Sequence, residues 1–251
     1  MVKYLRRPYH IPDYEIVSDC PKFLESLYLQ YGGYISDAEC ENPYRITVTK
    51  EIADPLVMLD DILFNTTTYD TGIIPLHGAA VEYKGNAYIF LAPTTSGKTT
   101  LTAYLVCNGF GYITEDTVLL DKKSFRIYPY LCPIHLRKGG IDVLQNHGIT
   151  IPALKPLDSY NNIRYVSTPD NCVKTSTPFG KIFFITRSET ENHVINMNVS
   201  ESIIELMKSG MTVYRPTAEH VRLMSKLAGT GCKRLIYRDM EYVKDIIIKG
   251  I

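Results

Sequence analysis

The chain has 251 residues, and its 27 lysines and arginines balance 27 aspartates and glutamates, so the formal net charge is zero. This length suits one large domain or a core with a small subdomain. A neutral chain offers no basic field to a polyanion, which excludes nucleic acid as an expected partner. No apolar run reaches the length of a membrane span, and the basic start lacks the apolar core of a signal peptide. We therefore expect a cytoplasmic protein with no membrane partner.

The first part of the chain predicts a small α/β subdomain, which we bound at residues 1–72. Ser18 shortly before Pro21 is typical of a helix start, because proline is favoured in the first helical turn. The alternating residues 45–49 predict a strand. Asp54, followed directly by a proline, predicts the start of a second helix.

The remaining residues, 73–251, predict an α/β core with a mixed sheet flanked by helices. A hairpin is predicted over 78–91, and its apolar second strand leads into the segment 92–99. The apolar run that follows ends at Asn108-Gly109, which is typical of a helix terminus. A strand, a loop, Gly-Lys-Thr and a helix in this order are the context of a phosphate-binding loop.

This loop predicts a nucleotide site that uses ATP and Mg²⁺. Backbone N–H groups at a helix start point toward an anion, and the helix dipole favours negative charge there. Lys98 is predicted to reach the terminal phosphates, and the Thr99 hydroxyl to bind Mg²⁺. The alternative is an ordinary turn with a surface lysine, and Ala92 replaces the usual first glycine. The predicted nucleotide-binding residues are Thr94, Thr95, Ser96, Gly97, Lys98, Thr99 and Thr100.

Two adjacent acids, Glu115 and Asp116, end a short predicted strand that begins at Tyr112. Acids at the carboxyl end of a sheet strand lie where ligands bind in open α/β folds. We predict that Glu115 binds the metal together with Thr99, and that Asp116 is the general base. The alternative is a solvated acidic turn.

Two further residues complete the predicted catalytic set of Asp116, Lys98, His77 and Arg137. His77 opens the hairpin, where it would lie near the transferred phosphate or hold an acid in place. Arg137 belongs to a compact basic turn and would bind phosphate charge bidentately. The alternatives are a histidine packed in the fold and a surface cation.

The C-terminal half predicts short elements around one long polar segment. This segment, rich in proline, serine and asparagine, is typical of a functional or mobile loop. In chain order we predict a hairpin over 117–128, a short helix over 139–146, the long loop over 155–178, a buried strand over 181–185, helices capped by Ser200 and Thr217, a strand over 233–238 and a last helix capped by Asp239.

Four segments, in this order and at close spacing, resemble the HPr kinase/phosphorylase superfamily of bacterial P-loop serine kinases. The resemblance implies that Lys98 and Thr99 hold phosphates and Mg²⁺, and that the acid pair supplies a metal ligand and the base for a seryl hydroxyl. His77 and Arg137 match a histidine and an arginine of that family. The loop and acids are also similar to those of phosphoenolpyruvate carboxykinases. The four segments are 76–81, 96–101, 108–110 and 113–120.

Several positions depart from the family pattern. Ala92 and Thr95 stand at glycine positions, Glu115 replaces an aspartate, and His135 occupies roughly the place of a glutamate. The HPr protein is therefore not the expected substrate. Outside the matching region, the chain is more similar to the HPr-kinase-like proteins of lasso and other modified peptides, some of which phosphorylate a serine of the precursor peptide.

The sequence thus predicts transfer of the γ-phosphoryl group of ATP to a serine hydroxyl of a peptide or protein, with a ribosomally made precursor peptide as one candidate. One alternative is a small-molecule P-loop kinase or a carboxykinase relative. Another is a non-catalytic module of the same fold that binds nucleotide or peptide. Assembly into a homo-oligomer is left open.

Overall fold

The protein is described by a computed structural model, which covers residues 1–6, 12–52, 55, 58–63, 72–151, 163–166, 170–210 and 217–251. Contacts between residues divide the chain into two compact units, Met1–Pro75 and Leu76–Ile251. Both units contain helices and a mixed sheet, which confirms the predicted α/β class.

The first unit is built on a four-stranded sheet in the order β3-β1-β2-β4. Strand β2 runs antiparallel to β1 and parallel to β4, so the sheet is mixed. The elements are β1 (Val2–Leu5), β2 (Tyr14–Ser18), α1 (Pro21–Tyr31), a 3₁₀ turn (Gly32–Tyr34), β3 (Ile35–Ser36), β4 (Tyr44–Val48) and α2, described over 58–63.

One of the two predicted helix starts in this unit can be compared with the structure. Ser18 closes β2 and does not cap α1, whose N-cap is Cys20. Pro21 is the first helical residue, as predicted, because its missing N–H costs no hydrogen bond there. Asp54 lies outside the described residues.

The second unit contains the longer sheet and most of the helices. Its strands are β5 (Ile73–Tyr83, which begins in the first unit), β6 (Asn86–Leu91), β7 (Gly111–Thr114), β8 (Thr117–Asp121), β9 (Arg126–Tyr128), β10 (Ile134–Arg137), β11 (Ile163–Val166), β12 (Thr177–Arg187), β13 (His193–Asn196) and β14 (Lys233–Tyr237). Its helices are α3 (Lys98–Cys107), α4 (Lys138–Asn146), α5 (Val199–Glu205) with a π-helical turn (Leu206–Gly210), α6 (Ala218–Gly229) and α7 (Met240–Lys249).

The long sheet has the order β13-β14-β12-β6-β5-β8-β9, with β7 paired to β5. Strands β6, β12 and β14 are parallel neighbours, whereas β5 and β6 form an antiparallel hairpin. The carboxyl ends of the three parallel strands therefore meet at one edge of the sheet. Ligands bind at this edge in open α/β sheets.

The core of the second unit joins the central strands to α3, α4 and α7. Phe90 of β6 stacks on Phe183 of β12, with ring centroids 6.1 Å apart. Leu101 and Leu105 of α3 are fully buried in the same cluster, as is Val243 of α7. This packing holds the start of α3 beside the end of β6.

Several predicted boundaries in the second unit need correction. The segment predicted as a loop over 155–178 contains β11, which pairs with β10. The helix predicted from Ser200 is capped instead by Asn198, whose side chain forms a capping box with Glu201. This box satisfies two backbone donors at once, which a serine cap at position 200 would not do. Thr217 caps α6 as predicted.

No helix within the described residues has the length and apolar character needed to cross a bilayer. The longest of the helices with complete bounds, α6, has 12 residues, against about 20 in a typical membrane span.

The packing of the β5–β6 hairpin can be tested by substitution at Gly78. A Cβ atom there would lie 2.5 Å from Leu91 Cδ2 and 2.8 Å from the Phe90 carbonyl oxygen. We expect Gly78→Ala to lower the free energy of unfolding in urea by about 1–3 kcal/mol, because the backbone oxygen cannot move aside.

The matched control is Gly229→Ala at the end of α6, where a Cβ meets no atom within 4 Å. That change should leave stability unaltered or raise it by up to about 1 kcal/mol. Equal effects of the two substitutions would contradict the described packing of the hairpin.

Candidate functional site

The candidate site begins where β6 ends and α3 starts. Ala92 continues β6 as a buried residue, and the chain then turns through an exposed loop to Gly97. Gly97 is the N-cap of α3 and has a φ of 90°. Glycine adopts this left-handed conformation without steric cost, so the turn brings the first helical N–H groups to the sheet edge.

Lys98, the first residue of α3, is folded back against the loop. Its side chain is buried, and Nζ donates to the carbonyl oxygens of Ala92, at 2.6 Å, and Pro93, at 3.2 Å. His77 Nε2 lies 3.4 Å from the same Nζ. Burial lowers the pKa of Lys98, and the charges of Asp116 and Glu115 oppose that effect.

The pairing of β5 with two neighbours places the acids near the loop. Gly78 of β5 is opposite Leu91 of β6, and Ala80 is opposite Thr114 of β7. Directly after β7, the Asp116 carbonyl accepts a hydrogen bond of 2.9 Å from the Gly78 N–H. His77 therefore lies between the start of the loop and the acid pair.

Glu115 is buried and connects the start of α3 to β10. The Thr99 hydroxyl donates to Glu115 Oε2 at 2.8 Å. His135 Nδ1 lies 2.5 Å from Oε1 in an ion-pair contact. Oε1 nevertheless accepts no hydrogen bond of normal geometry from the described residues. The two oxygens of this buried carboxylate thus lie against different residues, Oε2 against Thr99 and Oε1 against His135.

Asp116 faces the solvent at the same place, and its side chain is 59% exposed. Its Oδ1 lies 3.4 Å from His77 Nδ1. Partial desolvation raises the pKa of Asp116, Glu115 adds to the rise, and His77, His135 and Lys98 reduce it. Because the side chain is mainly exposed, water limits the size of this rise.

The residues present fit a magnesium ion held jointly with a nucleotide. Mg²⁺ prefers oxygen ligands and usually takes one or two protein groups together with phosphates and water. The Thr99 hydroxyl and the Glu115 carboxylate are oxygen donors in contact with each other. Within the described ranges, no group of three or more histidine, cysteine, aspartate and glutamate side chains forms a closed metal cage.

The other predicted loop residues line the same turn. Thr94 and Thr95 are exposed, and the Ser96 hydroxyl donates to the Pro93 carbonyl at 2.7 Å. Gly97 and Thr100 are half-buried at the start of α3. A Cβ on Gly140 of α4 would lie 2.6 Å from Thr100 Oγ1, so α4 begins very close to this helix start.

Arg137 is the predicted site residue that the structure does not bring to the acids. It ends β10 as an exposed side chain, and it forms no ion pair with any described residue. His135, two residues earlier on the strand, makes the contact with Glu115 instead. Alternate residues of a strand point to the same face, so β10 presents both side chains to one side. One indication that His135 belongs to the site was present in the sequence, because this residue stands roughly where the HPr kinase/phosphorylase superfamily has a glutamate.

Comparisons with models of protein families and with curated protein sequences give no match. Among solved structures, the chain is similar to the HPr(Ser) kinase/phosphatase from Coxiella burnetii, at 10% sequence identity and a TM-score of 0.36. The similarity covers 70% of this chain and 97% of that chain. The function of the present chain therefore has to be inferred from its own residues.

Backbone strain in the loop between β6 and α3 can be tested at Thr95. Its φ is 69°, a conformation that a β-branched residue rarely adopts. We expect Thr95→Gly to raise the free energy of unfolding by about 1–3 kcal/mol more than Thr94→Gly does. Thr94→Gly is the matched control, because Thr94 is a neighbouring exposed threonine with an ordinary φ. Urea denaturation of the two variants measures this difference. Equal stabilities would show that Thr95 stores no strain.

Proposed function

We propose that the protein is an ATP- and Mg²⁺-dependent kinase that transfers the γ-phosphoryl group to a serine hydroxyl of a peptide or protein. One observation carries the proposal. Five polar side chains from three separate segments lie together around the start of α3. They are Lys98, Thr99, Glu115, Asp116 and His77.

Lys98 and the helix start supply the phosphate-binding part of this function. The free N–H groups of the first turn of α3 and the ammonium of Lys98 attract the phosphate oxygens. Burial disfavours the charged form of Lys98, so an adjacent phosphate anion stabilises that charge. On binding, Lys98 exchanges the carbonyl oxygens of Ala92 and Pro93 for phosphate oxygens.

Thr99 and Glu115 would hold the magnesium ion that accompanies ATP. When bound, Mg²⁺ neutralises charge on the phosphate oxygens. The buried position of Glu115 favours a structural ligand over a proton acceptor, because its carboxylate is already held by Thr99 and lies against His135. Glu115 stands where the HPr kinase/phosphorylase superfamily has an aspartate, and the longer glutamate side chain extends the reach of the carboxylate toward the metal.

In this proposal Asp116 acts as the base. The serine O–H gives its proton to the Asp116 carboxylate while its oxygen forms the new bond to the γ-phosphorus. The bond from that phosphorus to the bridging oxygen breaks, and the electron pair leaves with ADP. His77 orients Asp116 if its Nδ1–H donates to the carboxylate and its Nε2 accepts from Lys98, an arrangement that both 3.4 Å contacts permit.

The exposure of the two acids supports a large acceptor. Asp116 has 59% of its side chain exposed, whereas Glu115 has 4%. A serine on an extended peptide reaches an exposed carboxylate without entering a closed cavity. Small-molecule kinases more often enclose the acceptor, because excluding water prevents hydrolysis of the donor.

The test is phosphoryl transfer from ATP labelled on its γ-phosphate, with Mg²⁺, to a peptide library with one fixed serine and random flanking positions. We expect label on the serine library and none on a matched library with alanine. Asp116→Asn should reduce the rate by about 100-fold or more, as expected for loss of a positioned base.

The matched control is Asp142→Asn, which neutralises an exposed aspartate on α4. It should transfer label at the wild-type rate. An unchanged rate for Asp116→Asn would refute the assignment of the base. Binding of ATP without transfer to any serine peptide would instead favour the non-catalytic module, and label on small hydroxyl compounds alone would favour a metabolite kinase.

A further inference from the structure

Helix α6 begins at a capping box in which a histidine takes the place of the usual acid or amide. Thr217 is the N-cap, and His220 is the third helical residue. The Thr217 N–H donates to His220 Nδ1 at 3.1 Å, and the His220 N–H donates to the Thr217 hydroxyl oxygen at 3.4 Å. Capping boxes ordinarily have glutamate or glutamine at this position. An imidazole accepts a hydrogen bond only at a ring nitrogen that carries no proton, so this cap depends on the protonation state of His220.

The contacts of His220 define a neutral ring. Because Nδ1 accepts from the Thr217 N–H, the single proton of the neutral ring is on Nε2. The Thr217 hydroxyl lies 2.8 Å from the same Nδ1. His220 is only 5% exposed, and its buried Nε2 has no hydrogen-bond partner among the described residues. Within the part of the chain that the structure describes, the ring therefore makes its hydrogen bonds through Nδ1.

A second proton on the ring would oppose this arrangement in three ways. A proton on Nδ1 would point to the Thr217 hydroxyl, but the Thr217 N–H, 3.1 Å away, would then lose its acceptor. The new positive charge would lie in the first turn of α6, where the helix dipole disfavours cations. The charge would also be largely buried, with no acceptor for Nε2–H among the described residues.

Two charged side chains act on His220, one from another element and one from its own helix. Lys122, in the turn between β8 and β9, lies with Nζ 3.8 Å from Glu219 Oε1 at the start of α6. Burial lowers the pKa of His220, Lys122 lowers it further, and Glu219 opposes the change. The neighbouring lysine therefore acts in the same direction as burial and the helix dipole.

The other elements packed against α6 are α5 and the π-helical turn that follows it. Their charged side chains are Glu201, Glu205 and Lys208. Glu201 belongs to the capping box of α5, and Glu205 pairs with Arg234 of β14. As far as the structure describes the chain, none of these three side chains forms an ion pair with His220, so none compensates a charge on the ring.

We propose that His220 is an acid-sensitive cap, which holds the start of α6 near neutral pH and releases it in mild acid. The ordinary pKa of histidine, which applies to the unfolded chain, is about 6.5. Since the folded-state pKa is lower, the stabilisation by the cap is fully present above about pH 6.5 and is lost as the pH falls through the folded-state pKa. The π-helical turn contacts both α6 and β6, so packing connects this cap to the strand that leads into the loop before α3.

The first measurement is an NMR titration of the His220 imidazole in the wild-type protein, with the signal assigned through its bonds to the backbone. We expect a titration midpoint below about 6.5. A midpoint at or above that value would overturn the proposal, because the folded chain would then bind the proton at least as well as the unfolded chain. This measurement needs no variant, so it decides the matter even where a substitution at His220 prevents folding.

The second measurement is hydrogen exchange of the Thr217 amide, expressed as a protection factor relative to the intrinsic rate at each pH. Between pH 7.5 and 5.0, the wild-type protein should lose about fivefold in protection, the factor that corresponds to the loss of one helix cap. His220→Gln keeps an acceptor that does not titrate, so its protection should change by less than about twofold. His193→Gln, which replaces a partly exposed histidine of β13, should behave as the wild type does.

Two results of the exchange experiment would contradict the proposal. Equal losses of protection in the wild type and in His220→Gln would show that another group carries the acid sensitivity. An unchanged protection factor in the wild type at pH 5.0 would show that the start of α6 does not respond to acid. Neither result bears on the proposed phosphoryl transfer, because the cap acts without a nucleotide.

Discussion

The arrangement of the site depends on the pairing of β5 with two strands at once. One edge of β5 pairs with β6, which leads into the loop before α3, and the other pairs with β7, which leads into the acids. The backbone hydrogen bond from Gly78 to Asp116 fixes where the chain turns after β7. The close packing around Gly78 leaves no room for a side chain, so β6 lies tightly against β5 at this point. Every contact among His77, Lys98 and the acids follows from this constraint.

Charged and polar side chains from separate segments meet at the start of α3. Lys98 meets His77, and the Thr99 hydroxyl donates to the buried Glu115 carboxylate. Glu115 is buried and Asp116 is exposed, which in the proposed function makes Glu115 the metal ligand and Asp116 the base.

The sequence was sufficient for the parts of the site that are local in the chain. The loop, the helix start and the end of α3 at Asn108 follow from strand, glycine and helix signals within one continuous segment. The contact of Thr99 with Glu115 follows from the same strand-helix-strand unit. The cap at Asn198 was also readable, since Glu201 stands three residues later, and the serine at position 200 was the weaker signal.

Other features depend on contacts between distant segments. The Tyr237 hydroxyl lies near Gly97 only because β12 and β14 pair in parallel beside β6, and no local pattern specifies that order. His135 rather than Arg137 contacts Glu115 because of the register of a short strand, and a shift of two residues would be needed to exchange them. Strands β1, β10 and β13 have four residues each, too few to show a clear alternation.

The most direct test of the central claim is the equilibrium affinity for Mg·ATP of the wild-type protein and of Lys98→Met. Methionine keeps the length and apolar character of the lysine side chain but removes its charge, so folding should be preserved. The account predicts that Lys98→Met weakens binding at least about tenfold, whereas Lys226→Met, at an exposed position of α6, binds as wild type does. Equal affinities for the wild type and Lys98→Met would contradict the account, because the start of α3 would then not be the phosphate site.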